Sequence, residues 1–272
     1  MRGEFVDIGA QRLYYYAAGT RGQGVPLVLV HGFPTSSRIW HAVARDFPDG
    51  HRLVVVDLPG FGRSELGSGE ATCSEHAEAL RLLLDDLRID RACLVGHGMG
   101  GGIVQRLAVA HAERVSHLAL LDSAAFGVAP RRMAGVAAWL GPAARLLTPG
   151  LLAGLVQGAV RRGFAVPERS RLTLDTCLQP FTTEAGRDHL VRHLHALGRC
   201  DTASSTPRLA ALGIPTAILW GADDPFYPLR LAHRLLAAVP HATLDVIAGA
   251  SHFTPEDAPD RVIARLMELV SR

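Results

Sequence analysis

The chain has 272 residues, 48% apolar and 20% charged, enough for a sizeable core in one large domain or two small ones. Its net charge is +2 with histidines neutral, and no block of like charge stands out, which argues against nucleic acid or an anionic membrane as the main partner. All 28 basic residues are arginine and the chain contains neither lysine nor asparagine, which excludes Schiff-base catalysis, pyridoxal phosphate attachment, a P-loop lysine and N-glycosylation.

From the N-terminus, residues 1–9 carry acids and no apolar stretch, so no signal peptide is expected there. Residues 5–10 and 13–18, joined by a polar turn, suit an antiparallel hairpin at a sheet edge. Compact apolar runs follow at 27–30, 53–56, 92–95, 118–121, 216–219 and 243–247, each short and with Gly, His, Asp or Ser at or soon after its end. Such runs suit strands buried on both faces of a parallel sheet. Helical patterns fall between them at 74–87, 101–111, 229–239 and 259–270. The alternation predicts an α/β fold with a mostly parallel sheet flanked by helices. It stops between 125 and 205, where helices alone are expected at 131–140, 151–162 and 183–197. A helical insertion between two parallel strands belongs over their C-terminal edge, where ligands bind in such folds, so 126–204 is read as a lid and 1–125 with 205–272 as the core. The most apolar stretch, 133–160, is broken by Pro142, Arg145 and Pro149 and is too interrupted to span a membrane. Cys73, Cys93, Cys177 and Cys200 stand far apart with no C-x-x-C pair, which reads as four reduced thiols of a soluble cytoplasmic protein.

Directly after the run at 92–95 comes Gly96-His97-Gly98-Met99-Gly100-Gly101, opening a helix. The context resembles the nucleophile elbow, G-x-S-x-G, of the α/β-hydrolase superfamily, in its lid-bearing epoxide hydrolase or esterase-like branch. Four further segments agree in order: His31-Gly32-Phe33-Pro34 looks like its oxyanion loop, and Asp57-Leu58-Pro59-Gly60-Phe61-Gly62-Arg63-Ser64 like its turn after the next strand. Gly221-Ala222-Asp223-Asp224-Pro225 and Gly249-Ala250-Ser251-His252-Phe253 look like its acid and histidine loops. The resemblance spans nearly the whole chain. It implies an α/β-hydrolase fold, His252 as general base, Asp224 as the carboxylate that orients it, and the backbone N–H groups of Phe33 and Met99 as an oxyanion hole.

The departure lies at Gly98, where the family carries Ser, or Asp in its dehalogenase and epoxide hydrolase branches. Glycine has no side chain to attack a carbonyl or an alkyl carbon, so the covalent route is closed for the chain as written. His31, Trp40, Phe126, Trp139 and Phe226 are assigned to the substrate pocket, with core packing the alternative for each aromatic ring. Hydrogen bonding beneath the site is the alternative for His31, as it is the reading for His97. Asp122, ending another strand, is an alternative acid or a loop-fixing residue. His189, His193 and His195 have helical spacing but no acid or cysteine partner, so no metal site is expected, and the chemistry calls for no cofactor.

Three functions fit. One is an enzyme that uses a His–Asp dyad and backbone oxyanion hole without a covalent intermediate, acting on a small, mostly apolar carbonyl compound as a lyase, cyclase, isomerase or water-activating hydrolase. A second is an ordinary serine ester or C–C hydrolase whose nucleophile has been replaced, since G-H-G-M-G-G is one residue from G-H-S-M-G-G. A third is a non-catalytic ligand-binding protein on the same scaffold.

Overall fold

In the computed structural model, which describes residues 3–9, 11–19, 24–65, 67, 69–130, 141–197, 200 and 202–271, the described residues form one eight-stranded sheet. The strands are β1 (Gly3–Ile8), β2 (Gln11–Ala18), β3 (Leu27–Val30), β4 (Leu53–Val56), β5 (Ala92–His97), β6 (Val115–Leu121), β7 (Thr216–Gly221) and β8 (Ala242–Ile247). Their spatial order is β1-β2-β4-β3-β5-β6-β7-β8. The β1–β2 hairpin and the β2–β4 pair are antiparallel, and every pair from β4 to β8 is parallel. This is the expected α/β architecture with its hairpin at one edge.

The apolar runs become strands because both faces are covered. Val28, Val30, Val54, Val56 and Leu94 point into one core layer, and Leu27, Leu29, Leu53, Val55, Cys93 and Val95 into the other. The first layer is closed by helices Cys73–Asp86, Met99–Ala110 and Leu229–Ala238, the second by His41–Asp46 and Pro259–Val270. Helix Cys73–Asp86 starts where the sequence pattern puts it because Thr72 and Glu75 form a reciprocal capping box: Glu75 N–H donates to Thr72 Oγ1 at 3.2 Å, and Thr72 N–H to Glu75 Oε2 at 2.9 Å.

The chain leaves β3 toward β4 on one side and β5 toward β6 on the other. The connections therefore diverge, opening a crevice at the C-terminal ends of β3 and β5. Between β6 and β7 the described chain is helical: Pro149–Val160, Ser170–Leu178, Glu184–Leu197 and Thr202–Ser205, with 3-10 turns at Gly141–Leu146 and Thr206–Leu212. The helix expected at 131–140 lies outside the described residues. Ser170–Leu178 was not anticipated, because its apolar residues are too sparse to signal a helical stripe. The insertion touches the core through the hydrogen bond of Phe253 N–H to Gly163 O, 3.1 Å, and of Thr173 Oγ1 to Glu256 Oε1, 2.9 Å.

One expectation is overturned. Cys73 and Cys200 form a disulfide across 127 residues of sequence, with Cα atoms 5.3 Å apart, while Cys93 and Cys177 are free and buried. The reduced-thiol reading rested on the absence of close Cys spacing. The pairing arises instead because Cys200, shortly after Glu184–Leu197, lies beside the N-terminal end of helix Cys73–Asp86. With it falls the argument for a reducing compartment. Among the described residues, no helix is long and apolar enough to cross a membrane.

Candidate active site

β5 ends in His97 and helix Met99–Ala110 begins at Met99, so the chain reverses within a single residue. That residue is Gly98, at φ 56° and ψ −119°. A residue with a Cβ is strained in this region by about 1–3 kcal/mol, whereas glycine enters it freely. Gly98 N–H donates to Leu121 O at 3.0 Å, and its carbonyl accepts from Gly101 N–H and Ala124 N–H at 3.1 and 2.9 Å. The helix sits this close to the sheet because Gly100 is bare: a Cβ there would lie 2.5 Å from Val30 O.

Across from the elbow, the loop after β8 carries His252 and the loop after β7 carries Asp224. His252 Nδ1 bonds to Asp224 Oδ2 at 2.9 Å, with both side chains almost wholly buried. The other carboxylate oxygen accepts from Phe226 N–H at 2.7 Å and Tyr227 N–H at 3.0 Å, which locks the carboxylate's orientation. Nδ1 therefore donates, leaving the Nε2 lone pair free, and Nε2 is the heavy atom nearest to where a Gly98 Cβ would stand, at 3.4 Å. The imidazole is held on its other sides by Phe226 and Phe253, both with ring centroids 5.0 Å away and edge-on. His97 Nε2 donates to His252 O at 2.9 Å, so His97 steadies His252 from beneath, and burial holds its own pKa well below the usual imidazole value.

Asp122, at φ 44° on the tip of β6, joins the two loops. Its carboxylate accepts from Gly221 N–H at 2.8 Å and from the Thr254 hydroxyl at 2.6 Å. Burial first, then the neighbouring Asp224 charge, pushes its pKa well above the usual carboxylate range. The arrangement is that of a loop-fixing residue. Among the described residues, Asp122, Asp224 and His252 bring potential ligand atoms within 4.8 Å of one another, and every oxygen of the two carboxylates already accepts at least one hydrogen bond.

The backbone N–H groups of Met99 and Phe33, expected as oxyanion donors, differ in how the chain sets them. Met99 is the first residue of its helix, so its N–H has no intrahelical acceptor. Gly32 O is turned into the protein, where it accepts from Thr35 N–H at 3.0 Å, Thr35 Oγ1 at 2.8 Å and His31 Nδ1 at 2.9 Å. In a trans peptide the next N–H points the opposite way, so Phe33 N–H faces away from the Thr35 side of the loop. Phe33, Met99, Pro130, Val160, Leu197, Phe226, Tyr227 and His252 together line a cavity of about 20 Å³, room for one water.

Of the residues assigned to the pocket, Phe226 lines this cavity and three others do not. His31 is fully buried and structural, donating to Gly32 O and accepting from Leu58 N–H at 3.0 Å. Trp40 is fully buried in the opposite core layer, edge-on behind His97 at 6.5 Å, because its helix packs on the far face of the sheet. Phe126 lies under the Arg234 guanidinium, 3.9 Å from its ring centre. Trp139 lies outside the described residues. Sequence reasoning missed Tyr227, Pro130, Val160 and Leu197. Tyr227 stood beside Phe226 in the acid loop as a usable signal, whereas the insertion residues had none.

The family model described as the alpha/beta hydrolase fold matches residues 25–259. The cis-3-alkyl-4-alkyloxetan-2-one decarboxylase of Shewanella oneidensis is 27% identical, over 98% of this chain and 87% of that protein. Haloalkane dehalogenase 2 of Mycobacterium tuberculosis is 29% identical, over 96% of this chain and 92% of that one. Among solved structures, a thermophilic esterase from Thermogutta terrifontis superposes with a TM-score of 0.80 at 26% identity, covering 100% of this chain and 98% of the esterase.

Proposed function

The chain belongs to the α/β-hydrolase family, and on that premise we propose that it is an enzyme in which the His252–Asp224 dyad activates water against a small, mostly apolar carbonyl substrate without a covalent intermediate. The observation that carries this reading is that His252 Nε2 comes within 3.4 Å of where a Gly98 Cβ would stand and also lines, with Phe33 and Met99, an adjoining cavity with room for a water. His252 Nε2 takes a proton from that water, and the oxygen attacks the carbonyl carbon. The oxyanion is held by Phe33 and Met99 N–H, and His252 returns the proton to the leaving oxygen. The helices within 126–204 act as the lid, supplying apolar contacts from Val160 and Leu197.

The relatives support a carbonyl substrate unevenly. An oxetan-2-one is a strained lactone, and the esterase acts at the same functional group. Dehalogenation does not carry over, because displacement at an alkyl carbon needs a carboxylate where this chain has Gly98.

The test is hydrolysis of a panel of small lactones and of 4-nitrophenyl acetate by the parent, His252→Ala and Gly98→Ser proteins. The parent is expected to turn over at least one member, with His252→Ala abolishing that turnover. Removing a triad nucleophile costs up to about 10⁶ in kcat and leaves about 10³–10⁴ over water, so Gly98→Ser should gain aryl-ester turnover strongly. Activity confined to Gly98→Ser favours the second reading, a serine hydrolase lacking its serine, which the clear 3.4 Å at the elbow also permits. A folded Gly98→Ser protein that is inert, alongside an inert parent, leaves a ligand-binding scaffold.

A further inference from the structure

Helix Cys73–Asp86 of the core meets helix Glu184–Leu197 of the insertion along a seam of three buried histidines, His76, His189 and His193. The rings of His189 and His193 are 4.5 Å apart and those of His76 and His193 5.6 Å, with Phe61 edge-on against His193 at 4.2 Å. Both ring nitrogens of His76, and Nε2 of His189 and of His193, find no hydrogen-bond partner among the described residues. Buried polar atoms are rarely left so, and three imidazoles together call for an explanation.

Further positive charge is disfavoured in the seam while it is closed. His189 Nδ1 accepts from the Arg192 guanidinium at 2.9 Å, so a proton can enter there only after Arg192 withdraws. His193 Nδ1 donates to His189 O at 3.1 Å, which leaves Nε2, aimed into the seam, as its one site for a proton. Of the charged and titratable groups near the trio, Arg192 is itself cationic, and the Glu75 carboxylate, whose oxygens accept from the N–H groups of Glu70 and Thr72, lines with His76 and His189 a cavity of about 80 Å³. His31 lies behind Phe61, with Nε2 held by Leu58 N–H. Burial depresses His76 to about 3 and His189 to about 4, and His193 likewise falls well below the ordinary value.

We propose that this seam is an acid-operated latch: proton uptake by His76, His189 and His193 parts helix Glu184–Leu197 from helix Cys73–Asp86, while the Cys73–Cys200 disulfide keeps the insertion tethered. The same helix ends in Leu197, which lines the cavity over His252, so its departure uncovers the candidate site. Each histidine that is neutral when closed and ordinary when open moves the balance about tenfold toward the open form per pH unit below about 6.5. The latch stands whether or not the site is catalytic.

Hydrogen exchange of the intact, oxidised protein, normalised to intrinsic rates from pH 7.5 to 5.0, tests it. Amides of 184–197 should lose protection as the pH falls through this range, at least tenfold before those of β5 and β6. In the His76→Leu/His193→Leu protein they should stay protected. Loss of 184–197 only together with the central strands, or an unchanged pH response in the double variant, overturns the latch. Should that variant fail to fold, imidazole NMR of the parent decides. Rings that charge only as 184–197 opens uphold the proposal, and rings that charge while it stays protected refute it.

Discussion

At the scale of single residues, the candidate site depends on which nitrogen of His252 carries the proton, and Asp224 decides that. Its Oδ1 is fixed by two backbone N–H donors, so the second carboxylate oxygen must face His252 Nδ1. In Asp224→Asn the same donors hold the amide oxygen in place and turn the NH₂ toward the imidazole. Nδ1 must then accept, the proton moves to Nε2, and the lone pair over Gly98 is lost. Turnover should fall by about 10⁴ with little change in KM or fold, as it does when a triad aspartate is so replaced. Steady-state kinetics beside circular dichroism measures this, and a variant retaining most of its turnover removes Asp224 from the mechanism.

At the scale of elements, the disulfide does what the small cavity and short contacts cannot. It closes a loop of 127 residues that contains β5, β6, the elbow and most of the insertion. Restricting so long a loop in the unfolded chain stabilises the folded one by about 2–5 kcal/mol. Cys73→Ser should therefore lower the denaturant midpoint accordingly, and the parent in strong reductant should match it. Equal midpoints for parent and variant without reductant would show that the bond adds nothing. Cys73 lies one turn before His76, so the bond and the histidine seam both tie helix Cys73–Asp86 to the insertion.

For the molecule as a whole, buried histidines set the acid limit. His76 titrates at about 3 in the folded chain and near 6.5 once unfolded. Between these values the unfolded state binds the extra proton, so this contribution is complete above about 6.5 and is lost as the pH falls below it. His76 alone removes about 2 kcal/mol between pH 6.5 and 5. His97 and His193 act in the same direction. Unfolding free energies from denaturant curves should decline steadily over that range, whereas a flat profile would mean that these rings have proton partners in the fold.

The order of residues determined the elements and their succession. Runs such as 27–30 and 53–56 are apolar on both faces and can satisfy themselves only inside a sheet, and the Gly, Asp and His residues closing them mark the edge where a site forms. For the same reason Gly98, Asp224 and His252 were legible, since each sits at a strand end within a local phrase. The tertiary structure alone decided what meets across distance: Cys73 with Cys200, His76 with His193, Val160 and Leu197 over His252, and Trp40 on the far face from the cavity. Those contacts depend on how helices from separate stretches lean on one another, and helix packing is set by shape and volume summed over many side chains, which no spacing in the chain encodes.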